Sequence, residues 1–174
     1  MQIRKVSLAF FVAVFFLLAS GALMAQSSAS GSAQLWGTVW GSYDPGFEGK
    51  GAWVGYALIS LNGGPARKAS MADRNTSILA NKDGSLVGSE VITLTFLDGS
   101  GVLSIEGHFS GIPGRTPSFN TLYELGTIPN GTGKYSRAKG EATIVGPFIM
   151  PGPDLKPATA LWIAEIYGTI SGVE

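Results

Sequence analysis

The chain has one histidine and no cysteine, so the residues able to do chemistry are few. His108 stands two positions after Glu106, in the alternating set Ser104, Glu106, His108. On an extended strand that spacing places both side chains on one face, about 6–7 Å apart. There a carboxylate and an imidazole could act as acid and base, or orient a polar ligand. They do so only if their face lines an interior; on a wetted face they are ordinary solvated residues. Glu165 and Tyr167, again two apart, and Tyr123 are candidates for polar contacts to a bound ligand. Glu90, Glu106, Glu124, Glu141 and Glu165 all fall within apolar, strand-like runs. Paired carboxylates are therefore within reach of the fold, although one glutamate per strand is also what a solvated barrel exterior shows.

Other chemistries are excluded. A serine triad would need the same lone histidine and a nucleophile on a strained elbow, and no G-x-S-x-G occurs. One histidine without cysteine argues against a transition-metal site, and the turn Asp98-Gly99-Ser100-Gly101 has too few carboxylates for a calcium loop. The letters GTGK at Gly131 to Lys134 suggest a phosphate-binding loop, but Ile128 holds the leading glycine position and Tyr135 replaces the hydroxyl residue after the lysine. The residues after the turn have a strand pattern, where a phosphate loop would open a helix. No cofactor and no metal are expected. Asn75-Thr76-Ser77 and Asn130-Gly131-Thr132 match the N-glycosylation acceptor pattern, which matters only in a host with an endoplasmic reticulum.

The elements that must position these residues read as strands. Short runs rich in Val, Ile, Leu, Thr and aromatics recur between Gly, Pro, Asn and Asp clusters, and no segment sustains a helical period beyond about two turns. Strands are predicted at Ala33 to Gly41, Ala52 to Leu61, Ser89 to Leu97, Val102 to Phe109, Phe119 to Thr127, Glu141 to Val145 and Thr159 to Ile170, with an irregular eighth around Ser70 to Leu79. The DGSG turn pairs Ser89 to Leu97 with Val102 to Phe109 as an antiparallel hairpin. Pro147 to Pro157 carries four prolines and reads as a long excursion before the closing strand. In the last strand Trp162, Ile166 and Ile170 share one face while Leu161, Ile163, Glu165 and Tyr167 share the other. Two apolar faces suit a closed barrel whose outside meets a second layer or a neighbouring subunit, and closure removes aggregation-prone edges.

The N-terminus bears Arg4 and Lys5, an apolar run from Leu8 to Ala19, and a small-residue exit through Ser20, Gly21 and Ala22 to Ala25. That is the layout of a secretory signal peptide over residues 1–25, cleaved after Ala25 or Ala22, and the run is too short for a spanning helix of about 20 residues. A Ser- and Ala-rich tether is expected at 26–32, and the domain over 33–174. The mature part keeps ten basic against twelve acidic residues, with no basic stripe to suit a nucleic-acid partner. The compartment expected is secreted or periplasmic, with no membrane association after cleavage.

Two motifs carry a family resemblance. Gly131-Thr132-Gly133-Lys134-Tyr135-Ser136-Arg137-Ala138-Lys139-Gly140 resembles the GTGKF-x-x-A-[RK]-G turn of dirigent proteins and, more loosely, that of allene oxide cyclases. Gly99-Ser100-Gly101-Val102-Leu103-Ser104-Ile105-Glu106-Gly107 is similar to the GS-x-L-x-V-Q-G strand entry of the same superfamily. The resemblance, over about Val91 to Gly172, implies an all-β, calycin-type fold: an eight-stranded antiparallel β-barrel, commonly trimeric, with a hydrophobic lumen. It points to a secreted bacterial relative. In the turn, Gly131, Gly133 and Gly140 read as structural pivots and Tyr135 as an anchor dropped into the core. The departures are that Glu141 to Val145 holds no arginine, and that the polar lumen groups of plant dirigents have no match here. The function expected is binding of a small hydrophobic or phenolic ligand in the lumen, without catalysis. The alternatives are a cyclase or isomerase using Glu106 and His108 or Glu165 and Tyr167, and a trimeric surface or matrix protein with Trp36 and Trp40 between subunits.

Overall fold

A computed structural model describes residues 31–114, 119–149 and 160–174. The expected signal peptide, most of the tether and most of the proline-rich excursion lie outside the described residues. Eight strands succeed one another: β1 Ser32–Asp44, β2 Ala52–Leu61, β3 Arg67–Ala80, β4 Leu86–Phe96, β5 Val102–Pro113, β6 Phe119–Ile128, β7 Lys139–Ile149 and β8 Leu161–Ser171. Each pairs antiparallel with its sequence neighbours, and β1 pairs with β8 from Ser32↔Ser171 to Ser42↔Leu161, closing the sheet into an up-and-down barrel. The expected eight-stranded antiparallel barrel is what the chain forms.

Alternation along the strands sorts the side chains. Leu35 and Val39 of β1, Ile92 and Leu94 of β4, Ile105 of β5, Ile144 of β7 and Ile166 of β8 are all buried within the barrel. In β8, Trp162, Ile166 and Ile170 point inward, whereas Leu161, Ile163 and Tyr167 point outward and are about half exposed. The interior is thus filled by aliphatic side chains, as expected for a barrel of eight strands, whose width is about that of packed side chains.

Two strands differ from the sequence expectation. β7 continues through Pro147 to Ile149, where an excursion was expected to have begun. Pairing of β7 with β8 runs to Val145↔Glu165, is interrupted at Gly146 and Pro147, and resumes at Phe148↔Trp162, so the proline's missing N–H falls in the break. β3 is a full strand, and its irregular pattern comes from a bulge: register with β4 shifts between Asn75 and Ser77. Beyond the bulge the inward parity changes, so Asp73 points into the barrel before it and Ile78 does so after it.

The segment between β6 and β7 closes one end of the barrel. The Thr132 N–H donates to the Val102 carbonyl and the Lys134 N–H to the Ser100 carbonyl, each at 2.8 Å, tying the turn to the β4–β5 hairpin. Gly133 has φ +59°, and a Cβ there would stand 2.3 Å from the Ser100 oxygen, so only glycine fits. A short 3-10 turn at Gly133–Tyr135 then drives the Tyr135 ring inward, where it is 1% exposed and stacks on Phe96 at 4.5 Å between centroids. Its hydroxyl receives only a long 3.4 Å contact from Arg67 Nη1. Removing the ring leaves a large cavity, whereas removing the hydroxyl leaves the stack. Tyr135→Ala is expected to lower unfolding free energy by about 3–5 kcal/mol and Tyr135→Phe by about 1 kcal/mol or less in urea titrations; equal losses would show that the hydroxyl, not the ring, anchors the turn.

Candidate functional site

Among the described residues, the opposite end of the barrel is left open. A cavity of about 410 Å³ lies among the last residues of β1, β3, β5 and β7 and the first of β2, β4, β6 and β8. That volume falls within the roughly 300–1,000 Å³ of small-molecule sites. Its walls are chiefly aromatic and aliphatic: Tyr43, Trp53, Phe109, Phe148 and Trp162 among them. Tyr43 meets Trp53 edge-on at 5.7 Å, and Trp53 meets Phe148 at 6.5 Å, so the aromatic rings brace one another around the space.

Into this apolar surround project two acids. Asp73 of β3 and Glu90 of β4 both line the cavity, and they are 2% and 3% exposed. A third, Glu124 of β6, is fully buried and meets Glu90. The fold provides for it by omission: a Cβ on Gly107 would stand 2.1 Å from Glu124 Oε1. Gly107 pairs with Glu90 on one side and with Gly126 on the other, so a strip without side chains admits the carboxyl between β4 and β6. No lysine, arginine or histidine is buried with the trio among the described residues.

Burial without a counter-charge decides their protonation. Desolvation pushes the Glu124 carboxyl up to about 11, helped by its hydrogen bond to Glu90 and by the nearby charges of Glu90 and Asp73. Burial, and then the Glu90 charge, raises Asp73 well above the ordinary carboxylate range. Glu90 is raised by burial too, but less freely, because hydrogen bonds from Glu124 and Asp73 favour its charged form. Two carboxyl groups can bond one another only when one holds a proton. The trio is therefore a coupled relay of acids, Asp73 to Glu90 to Glu124, that holds protons at neutral pH. Among the described residues, Asp73 Oδ1, Glu90 Oε1, both Glu124 carboxyl oxygens and the Trp162 indole N–H have no hydrogen-bond partner.

The candidates read from sequence are placed elsewhere. Glu106 and His108 share one face, but it is the exposed outer face of β5, and His108 Nδ1 sits 2.9 Å from Ser89 Oγ across the β4–β5 ladder. Glu165, Tyr167 and Tyr123 also point outward, with both tyrosines over 40% exposed. None of these five lines the cavity. Of the five strand glutamates, Glu90 and Glu124 are brought together inside, while Glu106, Glu141 and Glu165 stay outside. The turn residues Gly131, Gly133, Tyr135 and Gly140 lie at the closed end, remote in the fold from the cavity strands' ends. Asp73, Tyr43, Trp53 and Trp162 enter the site without having stood out by residue type. The signal for the acids was parity: Glu90 alternates with Ile92 and Leu94, and Glu124 with Leu122 and Gly126, whereas Glu106 alternates with Ser104 and His108.

Among the described residues no three Asp, Glu or His side chains converge closely enough to hold a metal ion. The fold and site define a closed eight-stranded barrel with an acid-lined, aromatic-walled cavity at one end. Compared with protein-family models, curated proteins and solved structures, the chain returns no match in any of the three.

The relay predicts an acid-stabilised fold. At pH values below the ordinary glutamate value of 4.5, Glu124 is protonated in both folded and unfolded chains, and its contribution is fully present. As pH rises, the unfolded chain ionises first and stability is lost progressively up to the folded value of about 11. At 1.36 kcal/mol per pH unit, Glu124 alone accounts for about 3 kcal/mol between pH 4.5 and 7. Asp83 and Asp98, held low by hydrogen bonds from Ser85 and Ser100, oppose this only near and below their ordinary value of 3.8. Urea midpoints should rise from pH 8 to pH 5, and Glu124→Gln should flatten the profile; a wild-type profile that climbs with pH would contradict the assignment.

Proposed function

We propose that the protein is an exported barrel of the dirigent and allene oxide cyclase type that holds a small hydrophobic or phenolic molecule in its lumen, without chemistry of its own. The observation that carries this reading is the 410 Å³ aromatic-walled cavity at one end of the barrel. A core of this kind ordinarily closes on itself, since each unfilled methylene costs stability. A space kept free by five large aromatic rings suits a guest of apolar body. The sequence motifs at Gly99–Gly107 and Gly131–Gly140, and the export-type N-terminus, support the family and compartment of the proposal. Trp53 and Trp162 line the space and serve as reporters. Titration with 1-naphthylmethanol should quench their emission saturably, and Leu122→Trp, which fills the space, should abolish the effect. Unchanged emission in the wild-type protein would count against a lumen ligand.

The outer surface favours a homo-oligomer as the working form. Trp36, 56% exposed, pairs with Tyr167 of β8, and Trp40 lies between Ile163 of β8 and Tyr56 of β2. The apolar arc continues with Leu58 and Leu161 and with Tyr123 and Leu125 of β6, whereas the middles of β3 and β5 carry Lys68, Arg74, Glu106 and His108 outward, with exposed Ile78, Leu79 and Ile112 nearer the cavity end. Such an apolar arc, broken by the polar middles of β3 and β5, suits contact with copies of the same chain. Sedimentation velocity is expected to show an oligomer that Trp36→Lys with Ile163→Lys dissociates; a wild-type monomer at 100 micromolar or so would remove this part of the proposal.

A further inference from the structure

We propose that the lumen selects a protonated organic amine, its ammonium group received by Asp73 and Glu90 and its apolar body by Trp53, Phe148 and Trp162. This rests on the cavity being a ligand site and names the class of ligand.

The argument is one of unmet chemistry. Every buried charge-bearing side chain within the barrel is an acid, and no basic side chain lines the cavity among the described residues. Asp73 Oδ1 and Glu90 Oε1 have no hydrogen-bond partner among the described residues. Held in apolar surroundings, they are met either by protons or by a cation that enters with the guest. An ammonium supplies both what is missing, N–H donors and positive charge, and the surrounding aromatic faces favour a cation within about 6 Å of a ring centroid. A bare divalent ion fits poorly, because among the described residues no group of three ligating side chains is placed to hold one and the walls are chiefly apolar.

A second, separate observation comes from the opposite wall. The Trp162 side chain is 3% exposed, lines the cavity, and its indole N–H has no acceptor among the described residues. The carboxylates ask for donors and the indole asks for an acceptor. The guest therefore carries an oxygen or similar acceptor on its apolar body, away from its ammonium.

Binding a cation displaces a proton from the relay. The groups that face Glu90 are Asp73 on β3 and Glu124 on β6; Tyr43 is the other titratable group on the cavity wall, and β2, β5, β7 and β8 contribute only apolar, aromatic or indole groups to it. The proton leaves to solvent as the N–H donors take its place, so amine affinity rises with pH while the amine stays charged.

The test compares 1-naphthylmethylamine, charged at neutral pH, with the neutral 1-naphthylmethanol of the same shape, by titration calorimetry in two buffers of different ionisation enthalpy. The amine should bind at least ~10-fold more tightly at pH 7.5, the lower end for a hydrogen bond to a charged group. It should release up to one proton, and gain up to ~10-fold in affinity per pH unit from pH 5.5 to 7.5, while the alcohol does neither. Asp73→Asn with Glu90→Gln removes the preference but keeps alcohol binding, and Glu106→Gln on the outer face changes nothing. Addition of a 4-methoxy group to the amine should tighten binding in the wild type and not in Trp162→Phe. Equal binding of amine and alcohol without proton release overturns the amine assignment and leaves the cavity reading standing. Binding of neither overturns both.

Discussion

An eight-stranded barrel is barely wider than the side chains that fill it, and every inward position is a decision about space. Most of those decisions here are made by leucine, isoleucine and alanine, which pack the interior. The upper part is set by rings at Tyr43, Trp53, Phe109, Phe148 and Trp162, which are too rigid to collapse into one another and so keep a volume free. Because the sheet has no edge, no strand can slide outward to relieve or fill that volume. The cavity is thus a property of closure plus rigid walls.

That same closure makes the acids significant. In an open sheet Asp73, Glu90 and Glu124 could turn to water; inside the barrel they face one another and a largely apolar wall. Their stability depends on holding protons, and the cost rises with every charge added. Natural cores rarely keep such groups without use. The closed end shows the contrast: there a glycine-pivoted turn, a stacked tyrosine and hydrogen-bonded backbone finish the lumen.

Much of this fold is legible in the sequence, and the reason is period two. Val102 to Phe109 alternates cleanly and Ala52 to Leu61 is a short apolar run between turn residues, so strand, hairpin and barrel can all be read. β3 resists because its bulge at Asn75 to Ser77 shifts the alternation midway, and with it goes Asp73. β7 reads too short because proline ordinarily ends a paired strand, while here a local gap in pairing with β8 accommodates it. The site is the least legible part. Glu106 and His108 stand out by residue type, but their polar neighbours mark a wetted face, whereas Glu90 and Glu124 carry apolar parity and belong inside. Trp162 and Trp53 read as ordinary core residues, since only three dimensions show that the space beside them is free.

The notch at Gly107 has a consequence for how such a chain can vary. Glu124 reaches Glu90 only because position 107 has no side chain, its oxygen occupying the place a Cβ would take. Positions 107 and 124 therefore make a single choice. A methyl at 107 belongs with an acid one carbon shorter, or with none, at 124, and drift at either position alone is a change to the cavity's charge. In any set of related chains, glycine at the one and glutamate at the other should be inherited together, a pairing by which barrels keeping this relay can be told from barrels that have merely kept the shape.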